Sequence, residues 1–183
     1  MQLKNDATRY GLVAQALHWA VVALIIWQFV LANRADALPL SPAKISVLAT
    51  HKSVGITIMA LVVLRLIWRC FNVIPRDPPS IPRWQQLAAR ATHLALYGLL
   101  LATPLVGWLM SSARNFPVSW FGILTLPDFI EPSTESFQAL QSAHGFMAQA
   151  LLVLALLHVA AALKHHFIDR DTVLRRMLPV GLK

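Results

Sequence analysis

A long apolar segment that contains two histidines constrains the fold of this chain most strongly. Residues 142–166 read SAHGFMAQALLVLALLHVAAALKHH, with His144 and His158 14 residues apart. In a helix that separation is about 21 Å of axial rise, and it comes within about 40° of a whole number of turns. Both imidazoles therefore leave one helix face, near opposite sides of a bilayer core about 30 Å thick. Ionisable side chains inside a membrane are costly, so the pattern indicates a functional site.

The composition favours a membrane protein over a soluble domain. Of the 183 residues, 57% are hydrophobic and only 13% are charged. The net charge of +8 does not predict a nucleic-acid partner, because the basic residues lie beside the ends of the apolar runs. A single cysteine, Cys70, excludes an intrachain disulfide and a cysteine-ligated iron–sulfur cluster. Since GxxxxGK[ST], GxGxxG and HExxH motifs are absent, nucleotide-binding and zinc-protease functions have no support.

Four apolar runs predict a single domain, residues 1–183, with four transmembrane helices. The predicted spans are residues 12–32, 47–68, 91–110 and 142–163. The first run is too long for the core of a signal peptide, so we interpret it as a membrane span.

Local signals refine the ends of these spans. Pro39 and Pro42 predict a turn within a connection at residues 33–46. Ser133 is a predicted N-cap with Glu135 in the first turn. We therefore expect the fourth helix to begin before the membrane and to extend past His165.

The distribution of charge predicts the orientation. The N-terminus, the connection at residues 70–90 and the tail carry most of the arginine and lysine, whereas the connection at residues 111–141 is acidic. Positive segments stay on the cytoplasmic side, so we predict an all-α four-helix bundle with both termini in the cytoplasm and membrane lipid around it. Trp120, Phe121 and Phe129 fit an aromatic belt at the outer interface.

The orientation pairs the histidines by membrane depth. His51 and His144 fall on the outer side and are called the outer pair; His18 and His158 fall on the cytoplasmic side and are called the inner pair. A b-type haem needs two axial ligands at one depth, so the pairs predict two haem b groups with iron bound by these four residues. Ligation by two histidines leaves no open iron position, which favours electron transfer over oxygen activation.

Other interpretations of the histidines stay open. A lone histidine at a helix end is more often an interfacial polar residue than a ligand, although four that pair by depth argue for ligation. His93, at the predicted start of the third span, is an alternative inner ligand or a contact for a haem propionate or quinone. His165 and His166 favour a solvated face or a lipid headgroup. Copper or zinc binding at the boundary and a haem-free structural or assembly subunit are the remaining alternatives.

Three further residues are candidates for cofactor binding or catalysis. Gly55, one turn after His51, either lets a flat macrocycle approach or serves ordinary helix packing. Arg65 is a candidate partner for haem propionates. Lys52 lies on the outer side beside a predicted ligand, where it attracts an anion, bonds a quinone carbonyl or extends toward the interface.

An ordered set of motifs resembles the bacterial di-haem cytochrome b561 family. The set covers nearly the whole chain and consists of ALHW at 16–19, HKSVG at 51–55, RLIWR at 65–69, HLALY at 93–97, the spacing of His144 and His158, and KHH at 164–166 with the tail 169–177. Each motif is weak alone, but their order is specific.

The resemblance implies a multi-pass protein of the bacterial inner membrane that holds two b haems. His18 and His158 match the cytoplasmic ligands of the family, and His51 and His144 match the outer ligands. One branch oxidises superoxide on the periplasmic side and passes the electron to ubiquinone. Related subunits carry electrons between quinones and hydrogenases or dehydrogenases. We therefore expect an electron-transfer oxidoreductase, with Lys52 steering superoxide as the candidate catalytic residue; the alternative is a quinol-linked subunit for a periplasmic donor or acceptor.

Overall fold

The described part of the chain folds into four long helices joined by three connections. The structure is a computed structural model that describes residues 2–78 and 81–178. The helices are α1 (Leu12–Ala37), α2 (Pro42–Cys70), α3 (Arg83–Ala113) and α4 (Thr134–Phe167). All four are long and apolar enough to cross a membrane, so the predicted all-α four-helix membrane fold is confirmed. The predicted single domain, residues 1–183, also includes Met1, Pro79, Ser80 and residues 179–183, which lie outside the described residues.

The helices extend beyond the predicted spans, and this corrects two boundaries. Pro42 is the first residue of α2 rather than part of a turn, because proline suits a position whose N–H has no helical partner. The connection is therefore residues 38–41 and not 33–46. Likewise α3 begins at Arg83, so His93 lies 10 residues into the helix rather than at its start. Both errors arose because the hydropathy pattern reports the membrane segment, whereas the helix continues into polar sequence.

The predicted start of α4 is confirmed. Ser133 Oγ accepts a hydrogen bond from the backbone N–H of Ser136 at 3.2 Å, and Glu135 lies in the first turn. The hydroxyl thus pairs one of the free N–H groups at the helix end, and the carboxylate favours the positive end of the helix dipole.

Ser133→Ala should lower the free energy of unfolding by about 1 kcal/mol, the usual value of a lost N-cap bond. The measurement is a denaturant titration of the purified protein in detergent. Ser142→Ala is the matched control, because the Ser142 hydroxyl donates to Gln138 O within α4 and makes no other hydrogen bond among the described residues. Equal effects of the two substitutions would contradict the capping role.

A short β-hairpin in the connection between α3 and α4 was not predicted from the sequence. Strands β1 (Ser119–Trp120) and β2 (Leu124–Thr125) pair antiparallel, and Gly122 supplies the positive φ of 74° that the turn requires. Three hydrogen bonds attach the hairpin to α2. Phe121 N donates to Ser53 Oγ at 3.0 Å, Ser53 Oγ donates to Ser119 O at 3.1 Å, and Trp120 Nε1 donates to Thr57 Oγ1 at 3.0 Å. We call the end of the bundle with this connection the hairpin end.

The C-terminal tail packs beside the start of α1 at the opposite end. Trp19 Nε1 donates to Met177 O at 2.8 Å, and the buried Gln15 donates through Nε2 to Arg176 O at 3.3 Å. The tail therefore lies next to the turn of α1 that carries His18.

Apolar residues from all four helices form the core, which consists of Val21, Leu31, Val54, Ile58, Val62, Leu100 and Leu151. Helix α1 packs on α2, α2 on α3, and α3 on α4. Within the described chain, α4 has no Cα atom within 8 Å of a Cα atom in α1 or in α2. Side chains that meet between α4 and these two helices therefore cross a wide interhelical space.

Candidate haem-binding site

The outer pair meets across the space between α2 and α4. The ring centroids of His51 and His144 are 6.2 Å apart, and the ring planes are inclined at 68°. Because the two helix backbones stay apart, the imidazoles project toward each other and are the groups that bridge the helices here.

The inner pair meets in the same way between α1 and α4. The ring centroids of His18 and His158 are 6.4 Å apart, with the planes at 77°. A third histidine joins them, since the ring of His93 on α3 lies 5.3 Å from that of His158. The structure thus brings together all the histidines assigned to the inner side from the sequence, and the choice of His18 or His93 as ligand stays a prediction.

The two paired distances suit a metal ion between the rings. A metal–imidazole bond is about 2 Å long, so two nitrogens on opposite sides of one metal ion lie about 4 Å apart and their ring centroids about 6 Å apart. The outer pair at 6.2 Å and the inner pair at 6.4 Å match this value. The His93–His158 distance of 5.3 Å is shorter than this value.

Unpartnered atoms and open backbone also fit a bound macrocycle. The Nδ1 atoms of His18 and His51 are buried without a hydrogen-bond partner among the described residues, so no protein hydrogen bond through Nδ1 holds these two rings away from a bound group. Beside His144, a Cβ on Gly145 would meet no atom within 4 Å, so the backbone here is open. The residues present therefore fit haem groups bound between paired imidazoles.

Arg65 brings a positive charge to the inner side of the bundle. Its guanidinium lies 5.5 Å from the Tyr97 ring centroid. Within the described residues no carboxylate lies within 4.0 Å of it, although cations inside membrane segments are normally paired. An anionic group is thus the partner that this position lacks.

Gly55 occupies a close helix crossing. A Cβ at this position would lie 3.3 Å from Gln28 Nε2 and 3.8 Å from Pro104 Cβ. These contacts favour the helix-packing interpretation of Gly55 over a contact with a macrocycle, and its cofactor-binding role stays a prediction.

Lys52 attaches the connection between α3 and α4 to α2. Its ammonium group donates to Ser111 Oγ at 3.1 Å and to the carbonyls of Phe116 and Pro117 at 3.0 Å each, and it lies 3.5 Å from the Phe116 ring centroid. All three N–H donors are engaged. Lys52 therefore places a charge one residue after the ligand candidate His51 and also holds the loop; its catalytic role stays a prediction.

The histidines at the end of α4 differ from expectation. His165 is largely covered, with its Nδ1 2.6 Å from Asp171 Oδ2 and 3.1 Å from Asp169 Oδ2. Lys164 Nζ also bonds Asp169, at 2.6 Å. The expected solvated face is thus wrong for His165, because carboxylates that follow the helix fold back onto it.

Several residues near the histidines had no role in the sequence-based site. Gln28 Nε2 donates to His51 O at 3.0 Å. On α3, Thr103 O lies 3.0 Å from His144 Nδ1, and Gly107 lies directly beside the same ring. The signal that marks Gln28 is its polarity within an apolar run, whereas no local pattern marks a backbone carbonyl as the partner of a ring 41 residues away.

The sequence is similar to known proteins over nearly its whole length. The profile of the family described as prokaryotic cytochrome b561 matches residues 9–180. Cytochrome b561 homolog 2 of Escherichia coli (strain K12) is 36% identical, covering 97% of this chain and 95% of that protein. Cytochrome b561 homolog 1 of the same strain is 30% identical, covering 89% and 93%. A protein of Yersinia pestis named probable superoxide oxidase CybB is 25% identical, covering 93% and 96%.

Proposed function

The chain belongs to the prokaryotic cytochrome b561 family, and we propose that it carries single electrons between two haem b groups and ubiquinone in the bacterial inner membrane. As a member of this family, the chain is a multi-pass membrane protein that binds b-type haem and takes part in electron transfer. The observation that carries the finer proposal is the pair of imidazole–imidazole distances, 6.2 and 6.4 Å, across helices that are otherwise well separated.

In this proposal each histidine pair would hold the iron of one haem. His51 and His144 would hold the outer haem, and His18 and His158 would hold the inner one. Arg65 would pair with a haem propionate, which would give its half-buried charge an anionic partner. Bound haem supplies one-electron redox chemistry, and the four histidines leave no iron position for dioxygen. His93 contacts a propionate or the quinone beside the inner pair.

We propose superoxide as the electron donor on the periplasmic side. Oxidation of superoxide yields dioxygen and one electron, and ubiquinone takes up two electrons and two protons, so two superoxide ions reduce one ubiquinone. Support comes from Lys52, whose positive charge lies one residue after the outer ligand His51 and favours an anionic donor.

A periplasmic protein is the second candidate donor or acceptor. Asp128, Glu131 and Glu135 are exposed at the hairpin end. These carboxylates repel superoxide and favour a positively charged protein surface.

Reduction of the purified, haem-loaded protein separates these two functions. We expect superoxide to reduce the haem bands and added ubiquinone to reoxidise them. Reduction by ubiquinol together with no response to superoxide would overturn the superoxide proposal and favour the quinol-linked one.

Lys52→Met should slow reduction by superoxide about tenfold, because it removes the positive charge that lies one residue after His51. Lys52→Arg should keep most of the rate, since it keeps the charge. Stopped-flow absorbance measures both variants, and reduction by neutral ubiquinol is the internal control. Equal slowing of reduction by superoxide and by ubiquinol would contradict the electrostatic steering of superoxide. Lys52 would then serve only to hold the connection between α3 and α4.

A further inference from the structure

Helix α3 fixes the orientation of one histidine of the outer pair. Nδ1 of His144 lies 3.0 Å from the backbone O of Thr103. A carbonyl oxygen only accepts hydrogen bonds, so the ring must carry its proton on Nδ1 and donate it. Nε2 then keeps its lone pair and is the atom available to bind a metal ion.

Gly107 provides the space that this ring occupies. A Cβ at Gly107 would lie 2.9 Å from His144 Cε1 and 3.1 Å from His144 Nδ1, and the first distance is too short for a real contact. Thr103 and Gly107 are four residues apart, so they lie on one face of α3 about one turn from each other. One face of α3 therefore supplies both the carbonyl of Thr103, which accepts the hydrogen bond, and the space at Gly107 that the His144 ring occupies.

The inner pair lacks this arrangement. Among the four paired histidines, only His144 has a ring hydrogen bond within the described residues, and the buried Nδ1 of His18 has no partner. Donation of the Nδ1 proton makes an imidazole a stronger electron donor to its metal ion. The inner pair instead lies near the half-buried cation Arg65, which has no carboxylate partner among the described residues and favours the reduced, more negative state of a bound haem. The charge of Lys52, beside the outer pair, is instead shared with three protein acceptors.

We propose that the Thr103 carbonyl and Gly107 are positioning groups for His144 and that they make the outer haem the more reducing of the two. The proposal rests on the proposed function, because it takes His144 as a haem ligand. The ordering of the two potentials favours movement of an electron from the periplasmic to the cytoplasmic side of the bundle. It thereby assigns a direction to the proposed electron transfer.

Gly107→Ala tests this role in the haem-loaded protein. The added methyl group should displace the His144 ring from Thr103 O and weaken its bond to iron. We expect either loss of the outer haem or a change of about tenfold in its one-electron reduction equilibrium, which is about 59 mV toward easier reduction. An optical redox titration measures both haems in one experiment, and the signal absent from His51→Ala identifies the outer one.

Gly98→Ala is the matched control on the same helix. It makes the same change in helix propensity, but its Cβ would meet no atom within 4 Å. Both haems and both potentials should be retained. The inference is overturned if Gly107→Ala leaves the outer signal unchanged, if it removes both haems together, or if the outer haem of the unaltered protein is the easier one to reduce. Absence of haem from the unaltered protein would instead overturn the proposed function.

Discussion

His158→Ala is expected to remove the inner haem and leave the outer one, which halves the haem content from about two to about one per chain. The reason is geometric: His158 on α4 is the ring that faces both His18 and His93, so no other residue on α4 replaces it. The outer pair uses His144, about 21 Å away along the same helix, and should keep its ligands. Haem extraction and the reduced-minus-oxidised spectrum of the purified variant measure the result.

His51→Ala is the reciprocal variant and should remove only the outer haem. His166→Ala is the control on α4, since its ring contacts Phe167 rather than either histidine pair. Loss of both haems or of neither in His158→Ala would contradict the pairing by depth. Parallel variants of His18 and His93 identify the second inner ligand: the variant that loses the inner haem carries the ligand.

Arg65→Met should make the inner haem harder to reduce, by about tenfold in its one-electron equilibrium or about 59 mV. Arg65 is a positive charge inside a membrane span without a carboxylate partner among the described residues. Removing a unit charge from a site of low dielectric destabilises the added electron and leaves a propionate unpaired. A redox titration of the two haem signals measures the shift.

Arg90→Gln is the control for the loss of an arginine, because its side chain is 72% exposed and its contact with Asp77 is long, at 3.9 Å. The potential of neither haem should change in this variant. An unchanged inner potential in Arg65→Met, or an equal shift of both haems, would contradict the placement of Arg65 beside the inner haem.

The helices and the histidine pairs could be predicted because both follow from the spacing of residues along the sequence. Fourteen residues between His144 and His158 set two depths, and the charge distribution assigned His51 and His18 to the same two depths. The ends of the helices were harder to predict from the sequence. Pro42 can begin a helix or form a turn, and only the Ser41 side chain that bonds Lys44 N decides for the helix.

The contacts that hold the site depend on distant pairs, and these have no local signature. Trp19 and Met177 are 158 residues apart, and His144 and Thr103 are 41 residues apart. Their partners are backbone carbonyls, which every residue possesses, so no side-chain motif marks them. The hairpin at residues 119–125 was not predicted for a related reason. Its hydrogen bonds go to Ser53 and Thr57, and these residues come close to it only when α2 is folded.

The most direct test of two haems held by two histidine pairs is a pyridine haemochrome assay on the detergent-purified protein, with haem expressed per chain. We predict about two b haems per chain and the absorption bands of low-spin haem with two histidine ligands. About one haem per chain would contradict the two-site arrangement. No haem at all would contradict the electron-transfer function and leave the histidines as hydrogen-bonding groups between helices.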